Sequence, residues 1–105
     1  MIKKVIHSVI LRNILVFSCI FVCVREQQIQ AKRIKQLEDQ GYYVIKLVVT
    51  NKNGIPDLIA VKPGDNVLFS EIKTKNGKTS SLQNYRLKEL SERGFNTEIY
   101  RGGDS

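Results

Sequence analysis

The stretch Gly54-Ile55-Pro56-Asp57-Leu58-Ile59-Ala60-Val61-Lys62, followed by Pro63-Gly64-Asp65 and then Val67-Leu68-Phe69-Ser70-Glu71-Ile72-Lys73-Thr74, decides the fold. Asp57 to Lys62 and Val67 to Thr74 are apolar and rich in β-formers, and Pro-Gly-Asp between them is turn chemistry, so the two segments read as a hairpin. Side chains on a strand alternate with period two, which places Glu71 and Lys73 on one face and Ile72 on the other. If the turn pairs the strands antiparallel, Asp57 is brought near Glu71 or Lys73 at the open end. Two carboxylates and a lysine then converge beside an otherwise apolar strand.

Working outward, Tyr42 to Thr50 reads as a strand closed by the turn Asn51-Lys52-Asn53-Gly54, with at most one of Tyr42 and Tyr43 buried. Arg25 to Gln40 favours helix, with Ile29, Ile34 and Leu37 as a thin apolar stripe and Gly41 at the usual stopping position. Beyond the hairpin, Asn76 to Ser80 is a loop. Ser80 or Ser81 caps a second helix whose Leu82, Tyr85, Leu87 and Leu90 lie mostly on one side, with Tyr85 expected in the core, and Gly94 ends it. Phe95 to Tyr100 is a last strand, and Arg101 to Ser105 reads as a frayed tail. The order is αβββαβ, an α/β architecture.

The chain has 105 residues with 17 Lys or Arg against 10 Asp or Glu, a net charge of +7, which allows one small domain and excludes two. Residues 1–23 carry Lys3, Lys4 and Arg12 and no acid, so 24–105 hold 14 basic and 10 acidic residues. That balance suits a polyanionic partner without requiring one. Cys19 and Cys23 are the only cysteines and His7 the only histidine, which rules out a disulfide scaffold and a zinc site in the remainder.

A composition boundary falls at residue 24, where the apolar run Ile14 to Val24 gives way to a polar segment. Residues 1–23 are read as an apolar leader open to three accounts: translated sequence upstream of a true start at Val24, a signal-like or anchoring segment, or an additional helix. The run lacks a small-x-small cleavage site and is shorter than the roughly 20 residues a bilayer-spanning helix needs. A domain over 24–105 would bury only about 60% of its unfolded surface, which favours association with a second copy.

Two acids held close repel unless a cation or a raised pKa relieves them. Oxygen ligands without Cys or His favour a hard divalent cation, Mg²⁺ or Mn²⁺, and such an ion polarises a phosphodiester while a lysine orients the attacking oxygen. Alone, Glu-x-Lys is usually a solvated pair and Gly-x-Pro-Asp a turn; their combination in this order of elements is far more specific.

Over residues 25 to 101 the sequence resembles the VRR-NUC domains of the PD-(D/E)xK nuclease superfamily. The resemblance rests on Arg25-Glu26-Gln27-Gln28-Ile29, Gly54-Ile55-Pro56-Asp57, Glu71-Ile72-Lys73 and Ser81-Leu82-Gln83-Asn84-Tyr85-Arg86. It implies a restriction-endonuclease-like core, a small mixed sheet flanked by helices, and metal-dependent phosphodiesterase activity. It also implies the site. Glu26, Asp57 and Glu71 with the Ile72 backbone carbonyl would hold the metal, and Lys73 and Gln83 would complete the catalytic set. Lys75, Lys78 and Arg86 flank that site and are expected to contact DNA phosphates, with Arg25, Lys32, Arg33 and Lys35 as an alternative basic track. The expected function is a DNA endonuclease, with structure-specific cutting of branched or junction DNA as an extension, acting as a homodimer in the cytoplasm without a small-molecule cofactor, and at a membrane only if the leader is real. A non-cleaving nucleic-acid-binding module of the same fold is the alternative.

Overall fold

The computed structural model describes residues 14–64 and 66–102, with side chains described from Val24 onward; the readings made for residues 1–13, for the side chains of Cys19 and Cys23, for Asp65 and for residues 103–105 lie outside it. Helix α1 (Ile14–Asp39) leads to β1 (Tyr43–Lys46), β2 (Leu58–Val61), β3 (Leu68–Lys73), α2 (Ser81–Glu92) and β4 (Asn96–Arg101). The sheet order is β1-β2-β3-β4. β1–β2 and β2–β3 are antiparallel, whereas β3 and β4 run parallel. A parallel neighbour cannot be reached by a tight turn, and α2 supplies the crossover.

α1 differs from the helix expected to begin at Arg25, because it is continuous from Ile14. No Gly or Pro interrupts Ile14 to Val24, so nothing breaks the backbone hydrogen bonding across the composition boundary. Among the described residues no helix is long and apolar enough to cross a membrane. The C-terminus closes as expected: Gly41 takes φ +95° and the Tyr42 N–H donates to the Leu37 carbonyl at 3.0 Å.

β1 stops at Lys46, short of the expected Thr50, because its partner β2 begins opposite, at Leu58. One further bond, Leu47 N–H to the Asp57 carbonyl at 2.8 Å, continues the ladder before the chain leaves the sheet. β4 includes Arg101, which the sequence placed in a frayed tail, and the Gly102 N–H reaches the Lys73 carbonyl at 3.1 Å.

One face of the sheet packs on α1. Leu37 meets Leu58, Ala60 and Ile72 in a buried cluster, bordered by Ile29, Ile34, Tyr42, Val44, Leu68 and Tyr100. Each fully buried Leu or Ile contributes roughly 1.5–3 kcal/mol, so the apolar stripe of α1 is the main fastening of that helix. Beneath it, Arg33 makes a two-pronged pair with Glu98, at 3.0 and 2.9 Å, and the Ser70 hydroxyl donates to the same carboxylate at 2.6 Å. Arg33 also lies 4.5 Å from the centre of the Tyr100 ring.

The opposite face carries α2, with Leu87 buried and Phe69 meeting Phe95 edge to face at 5.8 Å. Tyr85, expected in the core, is instead exposed. Leu87 is turned to the sheet, and Tyr85 falls on the outer side of the same helix.

Candidate active site

The hairpin register pairs Leu58 with Ser70, so Asp57 falls one step beyond the last paired residue, across from Glu71. The backbone does not continue the ladder there. The Asp57 carboxylate does so in its place, accepting the Ile72 N–H at Oδ2 over 2.8 Å. Pro56 before it is buried, and Gly54 takes φ +77° beneath Leu82, whose Cγ would lie 2.7 Å from any Cβ added there. Only glycine fits that approach, so the turn entering Asp57 is fixed by both conformation and contact.

Glu71 is 2% exposed. Its Oε2 accepts from the Gln83 amide at 3.1 Å and lies 3.7 Å from Lys73 Nζ. The pKa of Glu71 is raised from 4.5 to about 8, first by burial and then by the charge of Asp57. Lys73 opposes the rise, while hydrogen bonding with Asp57 and the charge of Glu26 add to it. Hence the carboxylate is crowded by acids and only partly compensated by the lysine.

Gln83 is held at both ends. Ser80 is the N-cap of α2, its hydroxyl accepting the Gln83 N–H at 3.1 Å, while its own N–H donates to Gln83 Oε1 at 2.9 Å. This capping box fixes the amide so that its NH₂ group faces Glu71.

Glu26, on α1, borders a cleft of about 290 Å³ that also takes in Gln27, Gln30, Lys46, Leu47, Val48, Asp57 and Ile72. Sequence reading passed over Gln30 and Lys46. Glu26 and Gln30 are four apart and share a helix face, and Lys46 ends the strand beside Asp57; that spacing was the available signal.

The structure therefore gathers Asp57, Glu71, Lys73 and Gln83, with Glu26 at the neighbouring cleft. Ile72 reaches Asp57 through its N–H. Lys75 and Lys78 are exposed on the loop after β3, a loop that Arg101 holds through the Thr74 and Gly77 carbonyls. Arg86 is turned inward, donating to the Asn53 carbonyl at 2.9 Å and to Glu89 at 3.2 Å. In the alternative track Arg33 is likewise engaged, by Glu98.

A mixed four-stranded sheet between two helices, with Asp at the mouth of a hairpin and Glu-x-Lys on its second strand, defines the restriction-endonuclease-like class. The profile of the VRR-NUC domain family matches residues 15–104, and the chain belongs to that family, a family of nuclease domains. A solved structure of a VRR-NUC domain is similar, with a TM-score of 0.64 and 26% identity over 74% of this chain and 84% of that one. Among curated proteins none matches the chain.

Proposed function

We propose that the protein is a Mg²⁺- or Mn²⁺-dependent endonuclease that hydrolyses DNA phosphodiesters, with Asp57 and Glu71 as the principal metal ligands. The observation that carries this reading is the pairing of a buried, under-compensated Glu71 with Asp57 and Lys73 at one sheet end.

The donor set fits a hard cation. Among the described residues no three His, Cys, Asp or Glu side chains form a ready-made metal cluster. Mg²⁺, however, commonly takes one or two carboxylates and completes its shell with water and substrate phosphate. Asp57 and Glu71 would supply those carboxylates, with the Ile72 carbonyl and Glu26 as further oxygens. When bound, the cation would supply Lewis-acid stabilisation of the phosphate. Lys73 directs its ammonium at the same place, where it orients the attacking water and stabilises developing charge. Gln83 keeps Glu71 in position. Lys75 and Lys78 offer phosphate contacts that hold a duplex without reading its sequence.

A homodimer is part of the same reading. Tyr43, Ile45 and Val61 stand exposed on the β1–β2 end of the sheet, beside the part that α2 covers.

Incubating the protein with duplex, flapped and four-way-junction DNA, with and without Mg²⁺, tests the proposal. Cleavage confined to the Mg²⁺ reactions is expected. Binding without cleavage on every DNA, with Mg²⁺ as without it, would replace the nuclease reading with that of a binding module.

A further inference from the structure

Two adjacent valines on the loop after β1, Val48 and Val49, are 81% and 92% exposed. Single exposed apolar residues are ordinary. This pair is distinguished by its place. Val48 borders the cleft of Glu26 and Asp57, and both valines border a second concavity, of about 380 Å³, formed by the loop itself and also reaching Asp57. The pair thus stands where the two hollows meet the acid.

Hydrogen bonds hold the loop at three points. Leu47 N–H is tied to the Asp57 carbonyl at 2.8 Å, Thr50 Oγ1 donates to the Lys52 carbonyl at 2.6 Å, and Arg86 grips the Asn53 carbonyl at 2.9 Å. A preorganised projection loses little freedom when something is pressed against it. Lys46 and Lys52 flank the valines, each lining one of the two hollows. An apolar tip between cations, at the mouth of a nuclease site, complements a nucleobase whose phosphates lie to either side.

We infer that Val48 and Val49 form a wedge that packs against an unstacked base of DNA at a branch or strand end, so that the enzyme favours substrates in which such a base is already available. This rests on the nuclease reading and adds the feature that selects among substrates. Unstacking a base from intact duplex costs energy that a branch has already spent, and an apolar side chain rewards only the exposed base face.

The test compares the wild-type protein with V48T/V49T, which keeps the β-branched shape but makes the tip polar, and V48I/V49I, which keeps it apolar. Cleavage rates on a flap and on a plain duplex of the same sequence are measured in Mg²⁺, and a fluorescent adenine analogue at the branch reports contact with the exposed base in Ca²⁺. The flap-to-duplex rate ratio is expected to fall about tenfold in V48T/V49T, with loss of the fluorescence change on binding, and to survive in V48I/V49I. An active wild type whose ratio and fluorescence are unchanged in V48T/V49T overturns the wedge alone. A wild type that cuts no substrate overturns the nuclease reading and the wedge with it. A drop in solution mass for V48T/V49T makes the loop a contact between copies and also overturns the wedge.

Discussion

Glu71 and Glu98 stand on neighbouring parallel strands, paired through Ser70 with Glu98 and Glu71 with Ile99, yet point to opposite faces of the sheet. Glu98 receives two guanidinium hydrogen bonds and a serine hydroxyl, all of 3.0 Å or less. Glu71 receives one neutral amide, a lysine at 3.7 Å and the repulsion of a second acid. The first carboxylate has its charge met and serves as a fastening between α1 and the sheet. The second is held with its charge partly unmet, the condition in which a carboxylate gains most from an added cation.

Four measurements press on that contrast. The largest effect is expected on the Glu71 side: Asp57→Ala or Glu71→Gln should lower cleavage by roughly 10³-fold or more, with the melting temperature of the chelator-treated protein not reduced in Glu71→Gln but lowered in Asp57→Ala, which leaves the Ile72 N–H without its acceptor. Near-normal turnover in either variant would remove the acids from the site. Lys73→Ala comes next, with turnover down about 10²-fold and DNA affinity in Ca²⁺ little changed; equal losses in both would make the lysine a phosphate contact only.

On the Glu98 side the effect should be on stability. Arg33→Ala leaves a largely buried carboxylate without its partner, and should cost about 2–3 kcal/mol in denaturant unfolding while the folded fraction keeps its turnover. A turnover loss exceeding the loss of folded protein would erase the division between the two glutamates.

The smallest effect is in pH. Glu71 carries a folded pKa of about 8 against an ordinary 4.5, so between these values the folded state holds a proton that the unfolded chain releases. Stability of the metal-free protein should therefore fall as pH rises from about 4.5 towards 8 and level off above it. Glu71→Gln, neutral throughout, should flatten that part of the profile relative to wild type, as read by thermal melts in chelator. Parallel profiles for the two proteins would show that Glu71 is not the group responsible.

The Glu71 side was open to sequence reading because its geometry is local. A tight turn and a two-residue period are enough to set Asp57 across from Glu71, and Gln83 lies three residues after a serine suited to capping. The Glu98 side was closed to it. Arg33 and Glu98 are 65 residues apart, and nothing in either neighbourhood marks them as a pair. Arg86 was read as a surface cation because its chief partner is a backbone carbonyl, which has no signature in sequence. Ile14 to Val24 was separated from the domain on composition, although backbone continuity depends on the absence of breakers and not on polarity. Tyr85 was misplaced because the buried stripe of α2 is narrow, and two residues before the buried Leu87 is about half a turn round the helix, which carries the ring outward.

The parallel pairing of β3 with β4 has a consequence for how the chain reaches its native state. β2 and β3 can meet through a turn of a few residues, so the search that sets Asp57 opposite Glu71 is short and its entropic cost small. β4 joins only after α2 has crossed the sheet, and Glu98 meets Arg33 only after the long loop between them has closed. Contacts of such sequence separation slow folding. Loop closure therefore favours the crowded acids meeting before the guanidinium fastening that locks α1 over the sheet, and the slower contacts are expected at the edge strand farthest from β1.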